Sequence, residues 1–404
     1  MPGLQSGVEY VLCRRIGFYP GSTHRRPRAG ADSTGLSSPG IVTLLRTSEG
    51  GPHRTADGLV PVESHGPVMS WTAADVPDQT GRTVVVTGAN SGLGFAASRV
   101  LAGKGATVVM ACRSVDRGER AADEIRQVVP DADPDVRECD LASLSSVAAF
   151  AEGLRADYDE LHALCNNAGV MAIPRSETED GFETQFGVNH LGHFALTGHL
   201  LDLLVATPGE TRVVAHTSGA HEAGDIDFDD LHHEESYGKW EAYSQSKLAN
   251  VLFAYELQRR LDSAARGAAE RSSGEQGDPR DAAGIEDTLA VACHPGYADT
   301  ALQARGPRQE GSTVKLYAMK AANAVLAQSA EQGALPLLYA ATAEDVEGGE
   351  YVGPGGLLNV RGAPEIQESS DLSYDEAVAE RLWAVSGEKT GVTYDFDRLA
   401  APEP

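Results

Sequence analysis

Tyr243 and Lys247 are the two side chains whose types and spacing most directly suggest chemistry. They lie four residues apart, so on a helix they share one face. A tyrosine near its ordinary pKa of about 10 is a poor base at neutral pH, and a neighbouring ammonium group lowers that pKa. Such a pair can exchange a proton with an alcohol or carbonyl oxygen. The alternative is an ordinary tyrosine and lysine on the surface of an amphipathic helix.

Ser218 is a second candidate for the same chemistry. It ends the predicted strand 212–217, RVVAHT, and its hydroxyl could donate to a substrate carbonyl and polarise it. Since Ser-Gly is a loop dipeptide, the alternative is a serine that only forms a turn. We expect the catalytic role, because the carboxyl end of that strand faces the ligand-binding edge of the predicted sheet.

A glycine-rich turn occupies residues 82–94, RTVVVTGANSGLG. The valines 84–86 predict a buried parallel strand, and a helix is expected after residue 94. Glycines let the chain turn tightly and let backbone N–H groups approach a pyrophosphate at the positive end of a helix. Glycine turns also join strands to helices that bind nothing. The predicted cofactor contacts in this turn are Gly88, Asn90, Ser91, Gly92, Leu93 and Gly94.

Strands and helices alternate after this turn. Strands are expected at 107–111, 136–139 and 161–165, with helices at 117–129 and 144–154. This alternation predicts an α/β fold, a doubly wound parallel sheet of the Rossmann type with helices on both faces. Ligands of such sheets bind beyond the carboxyl ends of the strands. A last strand is expected at 351–354 and a last helix at 377–385.

Arg113 indicates which dinucleotide the turn would hold. An NAD enzyme generally has an acidic residue at the end of the second strand, to accept from the ribose 2′-hydroxyl. Here that strand ends in Cys112 and Arg113. A guanidinium can pair with a 2′-phosphate through two parallel hydrogen bonds, and Ser91 could add a neutral donor. We therefore predict NADP(H) as the cofactor; the alternative is that Arg113 points to solvent.

The order of these motifs resembles a known family. TGANSGLG, ACR, DL, NNAG and YSQSK occur in the order and at the spacing of the short-chain dehydrogenase/reductase family. The stretches YSQSKLANVLFAYEL and DIDFDDLHHEESYGKWEAY are similar to its retinol dehydrogenase and protochlorophyllide reductase-like branch. The resemblance covers about residues 72–397. It departs at a polar insertion, 263–287, and at His216 and Thr217, where smaller or hydroxyl residues are common.

The resemblance implies roles for further residues. Lys247 would bind the nicotinamide ribose, and Asn189, in a predicted helix interior, would hold a water that relays protons to Lys247. The alternative for Asn189 is an asparagine that caps or bends its helix. Asp140 would accept from the adenine amino group, or alternatively cap the next helix. A lid over the substrate is implied at 301–323. The implied cofactor contacts are Asp140, Leu141, Asn167, Ala168, Gly169, Pro295, Gly296 and, at the nicotinamide carboxamide, Thr300.

These observations predict an oxidoreductase that transfers a hydride between NADP(H) and an alcohol/carbonyl pair, with an apolar small-molecule substrate. Asn189, Ser218, Tyr243 and Lys247 form the expected catalytic set. One alternative is a reductase of a conjugated double bond. Another is a nucleotide-sensing scaffold that keeps the fold without turnover. The complete catalytic set argues against the scaffold.

The composition excludes several other classes of protein. Asp and Glu number 59 against 33 Lys and Arg, and only six residues are lysine. Such an acidic excess repels nucleic acid and anionic membranes. It is typical of an acidic soluble protein, or of one adapted to high salt, and the scarcity of lysine favours the second. No run of about 18 apolar residues predicts a membrane span.

Residues 1–68 differ from the rest. They contain seven basic and five acidic residues, against 26 basic and 54 acidic in 69–404. We expect this segment to be a disordered tail or a start-site artefact without chemistry, and 69–404 to form the NADP-binding domain.

Five scattered cysteines favour reduced thiols and a cytoplasmic location. The histidines lack metal-ligand spacing, so no metal site is expected, and a homo-oligomer is the usual expectation for such a fold.

Overall fold

An eight-stranded sheet forms the centre of the protein in the computed structural model, which describes residues 71–272, 283–296, 328–356 and 359–399. The strand order is β3-β2-β1-β4-β5-β6-β7-β8, in which β1 to β7 run parallel and β8 pairs antiparallel to β7. The strands are β1 Thr83–Thr87, β2 Thr107–Cys112, β3 Asp135–Glu138, β4 Ala163–Asn166, β5 Thr211–His216, β6 Thr288–Cys293, β7 Tyr351–Pro354 and β8 Pro364–Gln367.

Helices cover both faces of this sheet. The longer ones are α1 Gly92–Gly103, α2 Val115–Val128, α3 Leu144–Asp157, α4 Gly192–Ala206, α5 Lys239–Ser272, α6 Leu335–Thr342 and α7 Glu376–Thr390. A π-helical turn, Gly187–Leu191, leads into α4. Short helical turns lie at Ala73–Asp75, Thr184–Phe186, Gly219–Ala223, Ala283–Glu286, Ala330–Gly333, Asp371–Tyr374 and Phe396–Leu399.

The two faces of the sheet bury separate apolar cores. Along β1, Val85 faces the core formed with α3, α4 and α5, whereas Val84 and Val86 face the core formed with α1, α2 and α6. Successive strand side chains point to opposite faces, and here both faces are covered, which is why the strand reads as an unbroken valine run. Both cores support the sheet from which the site is built.

The predicted doubly wound sheet with helices on both faces is confirmed, with boundaries that differ by a few residues. The predicted strand at 161–165 begins at Ala163, and the predicted last helix at 377–385 extends over all of α7. The expectation that 351–354 is the last strand is wrong, because β8 follows it. β8 begins with proline and contains Glu365 and Gln367, so it lacks the apolar alternation that marks a strand.

The predicted polar insertion, 263–287, is partly helical. Its first ten residues continue α5 to Ser272, and Ala283–Glu286 forms a helical turn before β6. The predicted N-terminal segment 1–68, the remainder of the insertion, Thr300 and the implied lid at 301–323 lie outside the described residues. Within the part of the chain that the structure describes, no helix is long and apolar enough to cross a membrane.

Candidate active site

The carboxyl ends of the parallel strands form the edge of the sheet that carries the site. β1 is in register with β2 and β4, and β4 is in register with β5, so these strands end at about the same level. The glycine turn follows β1, the segment 167–169 follows β4, and Ser218 lies two residues after β5. The structure therefore brings together, at one edge, the segments that were predicted to bind a cofactor and those predicted to do chemistry.

Glycine is required at several positions of the turn between β1 and α1. Gly88 and Gly92 have φ values of 68° and 58°, the left-handed region that favours glycine. A Cβ on Gly94 would lie 2.5 Å from Asn167 Nδ2 and 2.7 Å from Gly88 O, so no side chain fits there. α1 begins at Gly92, whose preceding residue, Ser91, has extended backbone and no capping bond from its side chain. The turn thus forms a bare backbone cradle at a helix N-terminus, which suits a pyrophosphate.

The Thr87 hydroxyl fixes the segment after β4 against this turn. Thr87 Oγ1 accepts hydrogen bonds from the backbone N–H groups of Asn167 and Ala168, both at 2.9 Å. Asn167 Nδ2 donates to Thr87 O at 2.8 Å. A Cβ on Gly88 would lie only 3.0 Å from Ala168 Cβ. Sequence reasoning identified Asn167 and Ala168 but missed Thr87, whose signal is a hydroxyl residue directly before the first glycine.

Arg113, which directly follows β2, is exposed and makes no hydrogen bond or ion pair with the residues that the structure describes.

Asp140 and Leu141 follow β3 at the same edge of the sheet. Asp140 Oδ1 accepts from Ala142 N at 3.0 Å and closes a local turn. The alternative that Asp140 caps the following helix is wrong, since Ser143 is the N-cap of α3.

Tyr243 lies near the start of α5 with its side chain 5% exposed. The Ser218 hydroxyl lies near its phenol and accepts from Ala220 N at 3.2 Å as the N-cap of Gly219–Ala223. Burial raises the pKa of Tyr243 to about 12, and the nearby Ser218 hydroxyl opposes that shift. The expectation that Lys247 lowers this pKa is therefore not met here, because desolvation outweighs other effects. At neutral pH the phenol keeps its proton.

Lys247 lies one turn further along α5 and is also buried. Its Nζ donates to the main-chain oxygen of His216 at 2.9 Å and lies 5.9 Å from the centre of the Tyr243 ring. Burial lowers the pKa of Lys247 to about 8. The ammonium form still predominates at neutral pH, so the group can donate hydrogen bonds to a ribose or a water.

Asn189 is buried in the π-helical turn that leads into α4. Its amide clamps Val170: Oδ1 accepts from Val170 N at 2.8 Å, and Nδ2 donates to Val170 O at 2.9 Å. A Cβ on Gly169 would lie 3.0 Å from Asn189 Oδ1 and 3.6 Å from Lys247 Nζ. The predicted helix interior at Asn189 is confirmed, but the turn there is π-helical, and π-turns often occur at functional sites.

Two positioning residues around this set were missed by sequence reasoning. Ser246 Oγ accepts from Asn189 Nδ2 at 2.9 Å and donates to Tyr243 O at 2.7 Å. His221 Nδ1 lies 2.8 Å from Ser218 O, and its Nε2 accepts from Ser370 N at 3.1 Å. Burial lowers the pKa of His221 to about 4, so the imidazole is neutral and Nδ1–H donates to Ser218.

Trp240 was missed as well. It precedes Tyr243 by three residues, is 43% exposed, and its ring lies edge-on to the Tyr243 ring with 6.1 Å between centroids.

Pro295 and Gly296 follow β6 at the same edge of the sheet, with Gly296 at φ 67°. The predicted Thr300 lies outside the described residues. In the described ranges no cluster of His, Cys, Asp and Glu could hold a metal ion.

Comparison with known proteins agrees with this geometry. The family model for the short chain dehydrogenases matches residues 82–265. Human retinol dehydrogenase 13 is 41% identical over 315 residues, which cover 77% of this chain and 85% of that protein. Mouse polyprenol dehydrogenase is 39% identical over 321 residues, which cover 78% of this chain and 86% of that protein.

A solved structure shows the same fold. The crystal structure of an uncharacterized protein from Mycobacterium paratuberculosis superposes with a TM-score of 0.62 at 39% identity, and covers 81% of this chain and 99% of that one. Together with the sequence motifs and the sheet topology, these likenesses establish the family. The chain belongs to the short-chain dehydrogenase/reductase family of oxidoreductases, in its retinol dehydrogenase-like branch.

Proposed function

We propose that this protein is an NADP(H)-dependent oxidoreductase that transfers a hydride between the nicotinamide and an alcohol/carbonyl pair, with Tyr243 as the general acid/base. One observation carries the proposal. The buried phenol of Tyr243 lies beside Ser218 and Lys247, at the sheet edge that also carries the bare glycine cradle. A proton donor and a dinucleotide site are thus side by side, as hydride transfer to a carbonyl requires.

The residues present fit a nicotinamide dinucleotide. The backbone cradle at Gly88, Gly92 and Gly94 suits the pyrophosphate, and Lys247 would hold the nicotinamide ribose. Bound there, the cofactor supplies or accepts the hydride, while the protein supplies orientation and electrostatics.

The proton chemistry follows from the states of the side chains. Ser218 hydrogen bonds the carbonyl oxygen and polarises it, and Tyr243 donates its proton to that oxygen as the alcohol forms. After this donation, Lys247, with a pKa of about 8, can return a proton to the phenolate through a water held by Asn189. In the reverse direction the phenol first loses its proton along the same path, and the phenolate then accepts the proton of the alcohol. These roles of Ser218, Lys247 and Asn189 complete the proposal.

The substrate we propose is an apolar alcohol or carbonyl compound. Trp240 offers a partly exposed aromatic face next to Tyr243, where an apolar chain could pack. The relatives named above are dehydrogenases of retinol and of polyprenol, both long apolar alcohols. These two observations support an apolar substrate over a sugar or an amino acid.

The proposed preference for NADP(H) depends on Arg113. Its guanidinium has no partner among the described residues and lies at the end of β2, where an NAD enzyme would have a carboxylate. A net charge of −26 disfavours an extra phosphate at long range, but salt screens that field while the local ion pair persists.

The test is a panel of carbonyls and alcohols followed by NAD(P)H absorbance, with titration of both cofactors. We expect turnover of apolar carbonyls with NADPH and weaker binding of NADH. Arg113→Ala should weaken NADPH binding about tenfold to 100-fold, the range for hydrogen bonds to charged groups. Arg120→Ala, an exposed arginine of α2, is the matched control and should change little. Equal affinity for both cofactors would contradict the assignment, and binding without any turnover would favour a nucleotide-sensing scaffold.

A further inference from the structure

His193 is a buried histidine in the first turn of α4 that connects the glycine turn to Asn189. His193 is only 3% exposed. Nε2 lies 2.9 Å from Thr87 Oγ1, and Nδ1 lies 3.0 Å from the main-chain oxygen of Asn189. The imidazole therefore spans from β1, directly before the dinucleotide-binding turn, to the π-helical turn of the candidate catalytic set.

The direction of each hydrogen bond can be assigned from Thr87. A hydroxyl has two lone pairs and one proton, and both lone pairs of Thr87 Oγ1 are used by the N–H groups of Asn167 and Ala168. Its proton must therefore be donated, and the nearer acceptor is His193 Nε2 at 2.9 Å, against Cys165 O at 3.3 Å. Nε2 thus accepts, and Nδ1 carries the hydrogen and donates to Asn189 O.

Burial keeps this imidazole neutral. It lowers the pKa of His193 to about 4, and the charge of nearby Lys247 acts in the same direction. A neutral ring has one donor and one acceptor, which is what the two partners require. The hydrogen bonds to Thr87 and Asn189 are therefore satisfied by a single tautomer at neutral pH.

We propose that His193, as its Nδ1–H tautomer, is a positioning residue that holds the Asn189 main-chain carbonyl in a fixed place relative to the dinucleotide-binding turn. This inference rests on the proposed function, in which Asn189 serves proton transfer to Lys247. The π-helical turn displaces Asn189 from regular α-helical geometry, and the imidazole gives its carbonyl oxygen a donor from a side chain four residues later. Thr87 fixes the imidazole in turn, and the same hydroxyl orders Asn167 and Ala168.

One test needs no catalysis. In protein labelled with ¹⁵N-histidine, the nitrogen chemical shifts distinguish the Nδ1–H and Nε2–H tautomers, and His193→Asn identifies the His193 signals by their loss. We expect a neutral Nδ1–H tautomer for His193 at pH 7. An Nε2–H tautomer, or a charged ring at that pH, would overturn the inference, because neither can make both bonds.

A second test separates positioning from a merely structural role. His193→Leu removes both hydrogen bonds, and His190→Leu is the matched control: His190 is also fully buried, and its Nε2 bonds Ser386 instead. We expect kcat of His193→Leu to fall by about tenfold or more, since small displacements in a catalytic set are costly. The Kd for NADPH should change less than kcat, and His190→Leu should keep a kcat close to that of the unmodified protein.

The conservative variant completes the test. The side-chain amide of His193→Asn can still donate near the Nδ1 position, so its kcat should recover most of the loss seen in His193→Leu. If His193→Leu does not fold, the kcat of His193→Asn is compared with that of the unmodified protein instead. Equal kcat in the His193→Asn and His193→Leu variants, or equal losses in His193→Leu and His190→Leu, would overturn the inference. Tyr243→Phe, assayed in parallel, separates the two proposals: if that variant is inactive while His193 variants are unaffected, only the role of His193 fails.

Discussion

At the scale of single residues, the sequence predicted which side chains meet but not their protonation. The four-residue spacing of Tyr243 and Lys247 correctly indicated a shared helix face. Their pKa values depend on burial by other segments, which the spacing does not reveal. Burial raises the pKa of Tyr243 to about 12, so the phenol stays neutral at pH 7, and lowers that of Lys247 to about 8, so the ammonium form still predominates there.

Trp240 gives a prediction at the same scale. If its exposed indole packs against an apolar substrate, Trp240→Ala should raise KM for a long-chain apolar carbonyl by up to about tenfold, the effect of about 1.4 kcal/mol of lost aromatic contact. KM for a short ketone that does not reach the indole should stay the same. Steady-state kinetics on the two substrates make this comparison.

Leu372→Ala is the control for this change, since Leu372 is 46% exposed but belongs to the helical turn Asp371–Tyr374. It should leave both KM values unchanged. The assignment of Trp240 to the substrate site would be abandoned if Trp240→Ala affected the short and long substrates equally.

At the scale of elements, the alternation of strands and helices was predictable because the buried strands contain short apolar runs, such as the three valines of β1. Two features were not. The residues of Gly187–Leu191 carry no pattern that separates a π-turn from an α-helix. β8 is polar and begins with proline, so only its pairing with β7 makes it a strand. Both depend on tertiary contacts and not on local sequence.

The contact between α4 and the turn after β3 gives a prediction at this scale. A Cβ on Gly192, the first residue of α4, would lie 2.5 Å from Leu141 O. Gly192→Ala must therefore push α4 away from that turn, and we expect a loss of about 1–3 kcal/mol in the free energy of unfolding, the usual cost of overpacking. Because Leu141 is also a predicted cofactor contact, NADPH binding should weaken. Urea unfolding and cofactor titration measure the two effects.

Gly153→Ala is the matched control, since Gly153 lies in α3 and its nearest neighbour to a new Cβ would be Arg137 Nη1 at 3.7 Å. This change should be neutral or stabilise by up to about 1 kcal/mol through helix propensity. Similar stabilities for the two alanine variants would show that α4 and the turn are not in close contact.

At the scale of the whole molecule, the sequence predicted the fold and most of the segments at the sheet edge that carries the candidate site. Its other expectations, adaptation to high salt and the separate character of residues 1–68, stay predictions. What the sequence did not reveal is how deeply the histidines are buried. His190, His193, His216 and His221 are all at most 5% exposed, and burial lowers their pKa values to about 3 or 4.

These histidines predict an acid-sensitive fold. In the unfolded chain they titrate near pH 6.5, so below that pH the unfolded state binds more protons than the folded state and stability falls as the pH falls. Each histidine can cost up to about 1.4 kcal/mol per pH unit within the window from 6.5 to about 4. Urea unfolding between pH 7 and 5, above the range where carboxylates titrate, should show this loss.

The variant His190→Gln removes one of the four groups and should make the fall in unfolding free energy with decreasing pH less steep. An unfolding free energy that stays constant from pH 7 to 5 would mean that these side chains are solvated, contrary to the packing described.

The central claim, that Tyr243 is the general acid/base of a hydride-transfer reaction, is tested most directly by kcat of Tyr243→Phe. The substitution removes the transferable proton and keeps the ring that packs beside Trp240. We predict that kcat falls by about 100-fold or more, the usual contribution of this role, while the Kd for NADPH stays within the range of the unmodified protein. Near-normal turnover by Tyr243→Phe, with cofactor still bound, would contradict the account.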